Sequence, residues 1–218
     1  MIIKVCGMRD VENIREVEAL GIDLMGFIFW PKSSRYVNPG DCPRDNSAAK
    51  SMGAVPVTHC KRVGVFVDED IEQVRRIADE YALDYIQLHG KESPEYCAQL
   101  KGHKLIKAFN IATADDLSQT RPYEGLVDYF LFDTKGKSVG GNGEKFDWSV
   151  LSAYDGSTPF LLSGGIGPDD AERVNAFVRG DSKSARKCIG IDLNSRFELS
   201  PGLKDVAALR RFLTLLTH

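Results

Sequence analysis

Two residues far apart in the chain have the chemistry of a proton-transfer pair. Cys6 closes the apolar run "IIKVC" and is followed at once by Gly7. A thiol accepts a proton only as thiolate, and an ordinary thiol is mostly protonated at neutral pH, so Cys6 needs a cation or a helix N-terminus nearby to act as a base. Lys4, two residues earlier and therefore on the same face of a strand, is one such cation. Asp133 follows a second apolar run, "DYFLF", where a carboxyl group supplies the complementary proton donor of general acid–base catalysis. Both residues also have a plain structural reading, Cys6 as a small core residue and Asp133 as the start of a turn. Composition alone does not separate the two.

Anion-binding features accompany the pair. "SVGGNGEKFDW" (138–148), with Gly141 and Gly143, and "LLSGGIGPDD" (161–170), with Gly164 and Gly165, are glycine loops whose backbone N–H groups can approach a phosphate. Ordinary turn chemistry is the alternative, since Asn142-Gly143 is a turn signal in its own right. The stretch "FWPKSSRY" (29–36) carries Lys32 and Arg35 between Trp30 and Tyr36. A guanidinium there can fork onto a carboxylate, or the loop can simply be solvated. His89 ends "YIQLH", in position to reach the same site or to bond to backbone. His59, His103 and His218 form no metal-ligand spacing with it. "GKS" (136–138) is not a P-loop, because Leu131 stands where the first glycine is required, and "GIGPDD" lacks the third glycine of a dinucleotide fingerprint.

The elements that must position these groups alternate. Short runs rich in Val, Ile, Leu and Phe at 2–6, 24–29, 62–67, 85–89, 104–109, 128–132, 159–163 and 188–192 are expected strands. Helical spacing links them at 68–82 and 203–216. Ser93-Pro94-Glu95 and Gly167-Pro168-Asp169-Asp170 read as helix starts with proline in the first turn, and 39–53 as a short or irregular helix. Eight βα units argue for an α/β fold, a single-domain closed (β/α)8 barrel over residues 1–218. The chain is short beside the ~250 residues typical of one, and an open doubly wound sheet is the alternative. In such a barrel chemistry sits at the C-terminal ends of the strands. Cys6, Asp133 and Asp192, which ends "CIGID", would share that rim, with Lys4 below Cys6 inside and Ile3 and Val5 facing the outer helices.

With 43% hydrophobic and 27% charged residues and a net charge of −3, the chain can bury a core and offers no basic block to nucleic acid or an anionic membrane. No signal peptide or membrane-spanning run is expected, and five widely spaced cysteines suit a reducing, cytoplasmic setting. Spacing alone leaves monomer and homodimer equally open.

The ordered set "KVCGMR", "GFIFWPKSSRYV", "VGVFV", "QLHG", "LFDT", "GGNGEKFDW", "LSGG" and "GIDLNSRFELSPGLKD" resembles the phosphoribosylanthranilate isomerase family of tryptophan biosynthesis, from residue 2 to about 205. The resemblance implies a small (β/α)8 barrel that uses neither cofactor nor metal. It implies an Amadori rearrangement of N-(5′-phosphoribosyl)anthranilate, a small phosphosugar–anthranilate substrate, to 1-(2-carboxyphenylamino)-1-deoxyribulose 5-phosphate. Asp133 falls at the family's general acid, Cys6 at its general base and Arg35 at the residue that holds the anthranilate carboxylate. Phosphate binding maps to Gly164-Gly165, to Gly141 and Gly143, and to Asn194 and Ser195, while Asp192 falls beside the amino-aryl part. One motif departs from the family's Asp-x-Ser-Ser-Gly-Val-Glu, because this chain has "DLNSRFE" (192–198), with Arg196 in place of glycine. Arg196 then either pairs with phosphate itself or points to solvent. Another phosphosugar isomerase, or a phosphate-binding barrel without catalysis, remain the other readings.

Overall fold

The computed structural model describes residues 1–39, 58–134 and 148–216. Eight parallel strands form a closed barrel. They are β1 (Ile2–Cys6), β2 (Leu24–Ile28), β3 (Lys61–Phe66), β4 (Tyr85–Leu88), β5 (Lys104–Ile111), β6 (Tyr129–Thr134), β7 (Phe160–Ser163) and β8 (Cys188–Leu193). Strand β8 returns to β1 with Ile2 opposite Gly190 and Lys4 opposite Asp192, which closes the sheet and removes the open doubly wound alternative. The expected strands agree with these within two residues at each end. The irregular helix expected at 39–53, Cys42, and the glycines Gly141 and Gly143 lie outside the described residues, apart from Pro39.

Strand alternation divides the apolar residues into two cores. Leu24, Val63, Ile106, Ala108, Leu131 and Leu161 fill the barrel interior. Ile3 and Val5, with partners such as Phe27, Ile86 and Phe132, face the layer outside, as expected. A bulge between β7 and β8, where Phe160 and Leu161 pair with Cys188 and Gly190, gives Ile189 to the inner core and Cys188 to the outer. It also returns Asp192 to the inner face, opposite Lys4. A one-residue shift of this kind reverses every side chain beyond it.

The outer layer holds α1 (Val11–Glu18), α2 (Ile71–Glu80), α3 (Pro94–Gln99), α4 (Ala171–Val178) and α5 (Val206–Leu215). The carboxylates of Asp10, Asp70 and Asp205 and the hydroxyl of Ser93 accept backbone N–H groups at four of their starts. The Gly167-Pro168-Asp169-Asp170 stretch departs from expectation. Pro168 lies in a turn before α4, because the Asp170 carboxylate reaches back to accept the Gly167 N–H at 2.8 Å. After β5 and β6 the described connections are 3-10 segments, at Ala114–Tyr123 and Trp148–Ala153.

Beyond β8 a hairpin of β9 (Glu198–Ser200) and β10 (Leu203–Lys204) folds back toward β1. Asn13 of α1 ties it down, accepting the Lys204 N–H at 2.7 Å and donating to the Lys204 carbonyl at 3.0 Å. That clasp places the Lys204 side chain beneath the rim.

Candidate active site

A cavity of about 450 Å³ opens at the C-terminal ends of the strands. It brings together Cys6 from β1, His89 after β4, Asp133 from β6, the Ser163-Gly164-Gly165 turn after β7, Asp192 from β8, and Asn194 and Ser195 beyond it. Chain order separates Cys6 from Asp192 by most of the protein, yet barrel closure sets their strands side by side.

Glycine determines how Cys6 sits. The chain turns at Gly7, whose φ is +78°, and the N–H groups of Gly7 and Met8 both donate to the Gly26 carbonyl on β2. Gly26 lies opposite Cys6 in register, and a Cβ there would stand 2.6 Å from the Cys6 Sγ. The thiol therefore occupies the space that a side chain on β2 would need. Only 3% of Cys6 is exposed.

Lys4 lies below it, fully buried, and its Nζ donates to Asp192 Oδ1 at 2.8 Å. Ser163 Oγ donates to the other oxygen at 3.3 Å. Burial opposes the charge on Lys4, but Asp192 and Cys6 outweigh it and the ammonium is held above its ordinary value. Burial pushes the Cys6 thiol up. Lys4 pulls it down, Asp192 raises it and Lys204 lowers it, and the net direction is upward. Lys4 is thus the cation the sequence suggested, but Asp192 already claims it and burial outweighs it.

Asp133 faces His89 across the mouth, with Nε2 3.8 Å from Oδ2, close enough for charge and too far for a hydrogen bond. The other ring nitrogen, Nδ1, lies 3.0 Å from Gln87 Nε2. Arg35 has its fork on protein. Its Nε donates to Glu198 Oε1 at 2.8 Å, and its Nη2 donates to Oε2 at 2.5 Å. Lys204 Nζ donates to the same Glu198 Oε1 at 2.7 Å and to Asn194 Oδ1 at 2.8 Å. Burial would raise the Glu198 carboxyl, yet the bonds from Arg35 and Lys204 hold it below its ordinary value. Lys204 itself is pushed down by burial, with Glu198 only partly offsetting this.

At the β7 turn Gly164 and Gly165 have φ of +91° and +68°, backbone that side-chain-bearing residues rarely adopt. Nothing stands within 4 Å of a Cβ built on Gly165. Arg196 lines the same cavity, its Nε 3.3 Å from where a Cβ on Gly167 would stand. Arg196 is exposed to solvent at the edge of that cavity.

Sequence reading missed three residues here. Gln87 was readable, since it lies two residues before His89 on the same inner face. Glu198 and Lys204 were not, because only the hairpin and its Asn13 clasp bring them to Arg35. Among the described residues no group of three His, Cys, Asp or Glu side chains is placed to hold a metal ion, and no helix is long and apolar enough to cross a membrane.

Residues 3–214 match the family model described as N-(5′-phosphoribosyl)anthranilate (PRA) isomerase. The chain is 52% identical over 220 residues to the N-(5′-phosphoribosyl)anthranilate isomerase of Parabacteroides distasonis, covering 100% of this chain and 94% of that protein. It is 47% identical to the protein of the same name from Phocaeicola vulgatus, covering 99% and 98%. Among solved structures it is similar to the phosphoribosyl anthranilate isomerase of Thermotoga maritima, with a TM-score of 0.80, 32% identity, and coverage of 99% and 98%. A phosphoribosyl anthranilate isomerase in complex with reduced 1-(o-carboxyphenylamino)-1-deoxyribulose 5-phosphate matches with a TM-score of 0.78, 30% identity and the same coverage.

Proposed function

We propose a catalytic assignment that proceeds from one premise: the chain belongs to the N-(5′-phosphoribosyl)anthranilate isomerase family. Its activity is the isomerisation of N-(5′-phosphoribosyl)anthranilate in tryptophan biosynthesis. The observation that carries the assignment is the convergence of Cys6, Asp133 and the Gly164-Gly165 turn on one cavity.

The phosphate sits at the Gly164-Gly165 turn, where the backbone is open, with Arg196 and the Asn194-Ser195 backbone completing the cradle. The loops after β7 and β8 are a common phosphate position in this architecture, which supports the reading. Arg196 supplies by charge what the family's glycine supplies by backbone approach. Gly141 and Gly143 belong to the same proposal through the family resemblance.

With that end fixed, Asp133 in its protonated form gives its proton to the ring oxygen. The C1–O bond breaks, and the nitrogen lone pair forms the C1=N bond of an iminium. Cys6 as thiolate removes the proton on C2, and those electrons form C1=C2 as the C=N bond becomes C–N, giving an enolamine. Protonation at C1 and loss of the hydroxyl proton at C2 deliver the ketone. His89, 3.8 Å from the Asp133 carboxylate, contacts the substrate beside it. Asp192, anchored by Lys4, accepts from the anilino N–H. Arg35 meets the anthranilate carboxylate from a guanidinium plane held by Glu198.

The activity is tested by following loss of the anthranilate-type fluorescence when purified protein meets freshly prepared phosphoribosylanthranilate. Wild-type protein is expected to consume it without added metal or cofactor. No consumption under folded conditions contradicts the reading.

A further inference from the structure

Gln87 has no role in the assignment above, yet it lines the same cavity from the inner face of β4, two residues before His89. It is 1% exposed. One end of its amide meets His89 Nδ1 at 3.0 Å. The other end, Oε1, is buried with no hydrogen-bond partner among the described residues. Turning the amide over would let its oxygen accept from the ring and leave the NH2 orphaned instead, so one end is unmatched in either orientation. Its strand neighbours in register are Val65 and Ile106, which offer no side-chain donor or acceptor.

A buried polar group left unpaired destabilises the fold, because the water it gave up is not replaced. Among the described residues the barrel interior has no other orphan of this kind, since the second buried unpaired polar atom, Trp148 Nε1, belongs to a residue of the outer core. Apolar side chains of similar shape would fill the Gln87 position without that cost, as Val65 does on the next strand. The carboxamide therefore stands in the cavity wall with one end unmatched, where what enters the cavity can supply the partner. A sugar hydroxyl suits either amide orientation, because it both donates and accepts.

Resting on the isomerase reading, we propose that Gln87 hydrogen-bonds directly to a hydroxyl of the reacting phosphosugar, making it a further substrate-binding residue. In this arrangement the amide bridges His89 and the sugar. It fixes the imidazole tautomer that faces Asp133 and holds the sugar chain against the cavity floor.

A double-mutant cycle on the full chain tests this, with Gln87→Met as an apolar near-isostere, His89→Ala as the second change, and phosphoribosylanthranilate as substrate. Gln87→Met is expected to lower kcat/KM about tenfold in the wild-type background and to keep a smaller effect, about threefold or more, in the His89→Ala background, where the part carried through the imidazole is gone. The melting temperature of the unliganded protein is expected to stay level or rise, because the substitution removes an orphaned acceptor. Three results overturn the proposal: kcat/KM within twofold of wild type, a Gln87→Met effect that vanishes in the His89→Ala background, or a lowered melting temperature with unchanged kcat/KM. An inactive wild type would instead sink the isomerase reading itself.

Discussion

Burying a thiol beside an ammonium puts opposite pressures on its proton. At Cys6 burial is the stronger, so the thiol is pushed up from its ordinary value of 9.0 even with Lys4 below it. On the proposed assignment of Cys6 as base, which must be unprotonated to work, kcat/KM should rise with pH through neutrality and into the alkaline range. Removing the cation removes the lowering influence. Lys4→Met is therefore expected to move that rising limb to still higher pH, and a pH–rate profile checks the direction; an unmoved limb would separate Lys4 from the thiol. The same substitution leaves Asp192 buried without its counter-ion, which should destabilise the fold by about 3–5 kcal/mol, so the profile needs protein confirmed as folded. Sequence reading reached Lys4 through the i, i+2 rule. It did not reach the rival claim of Asp192, because that carboxylate arrives through the closure of β8 onto β1.

At the scale of elements, neighbouring strands set the site by what they leave out. Gly26 of β2 gives its side-chain space to the Cys6 Sγ, 2.6 Å from where a Cβ would stand. Gly26→Ala should displace the thiol and lower kcat by tenfold or more while circular dichroism stays native, at a stability cost of about 1–3 kcal/mol. Unchanged turnover would show that the thiol's position is not critical. The hairpin of β9 and β10 supplies Glu198 and Lys204, and its anchor is the two-way bond of Asn13 with the Lys204 backbone. Asn13→Ala leaves both backbone groups buried and unpaired, so urea denaturation should show a loss of about 2–4 kcal/mol. The strands, the spacing of α2 and α5 and the Ser93 start of α3 were legible because periodicity and capping residues are local signals, whereas α1 went unread. The anchoring of the hairpin and the β8 bulge were not, since each is decided by contacts with distant parts of the chain, and at Pro168 the Asp170 side chain bonds back to Gly167, a choice that the residue types alone do not dictate.

For the whole molecule, closure of the barrel converts scattered motifs into one polar rim over an apolar interior. Some of the fold's carboxylates are tied into that architecture. Glu198 is held low by Arg35 and Lys204 against the opposing effect of burial. Glu124 is held low against burial by Ser157, Thr158 and Tyr154. A depressed carboxyl stabilises the fold above its unfolded value, and that contribution is lost as pH falls through the folded value. Melting temperature should therefore be steady above the ordinary value of 4.5 and fall with acid below it. Glu198→Gln should flatten part of that fall, and an identical acid profile in the variant would contradict the linkage.

The central claim is that Cys6 and Asp133 move protons while other groups hold the substrate. Its most direct measurement is the turnover of phosphoribosylanthranilate by Cys6→Ala and Asp133→Asn, alongside their affinity for reduced 1-(o-carboxyphenylamino)-1-deoxyribulose 5-phosphate. The account predicts kcat lower by roughly 10² to 10⁴ in each variant with affinity near that of wild type. Full turnover by either variant would contradict it.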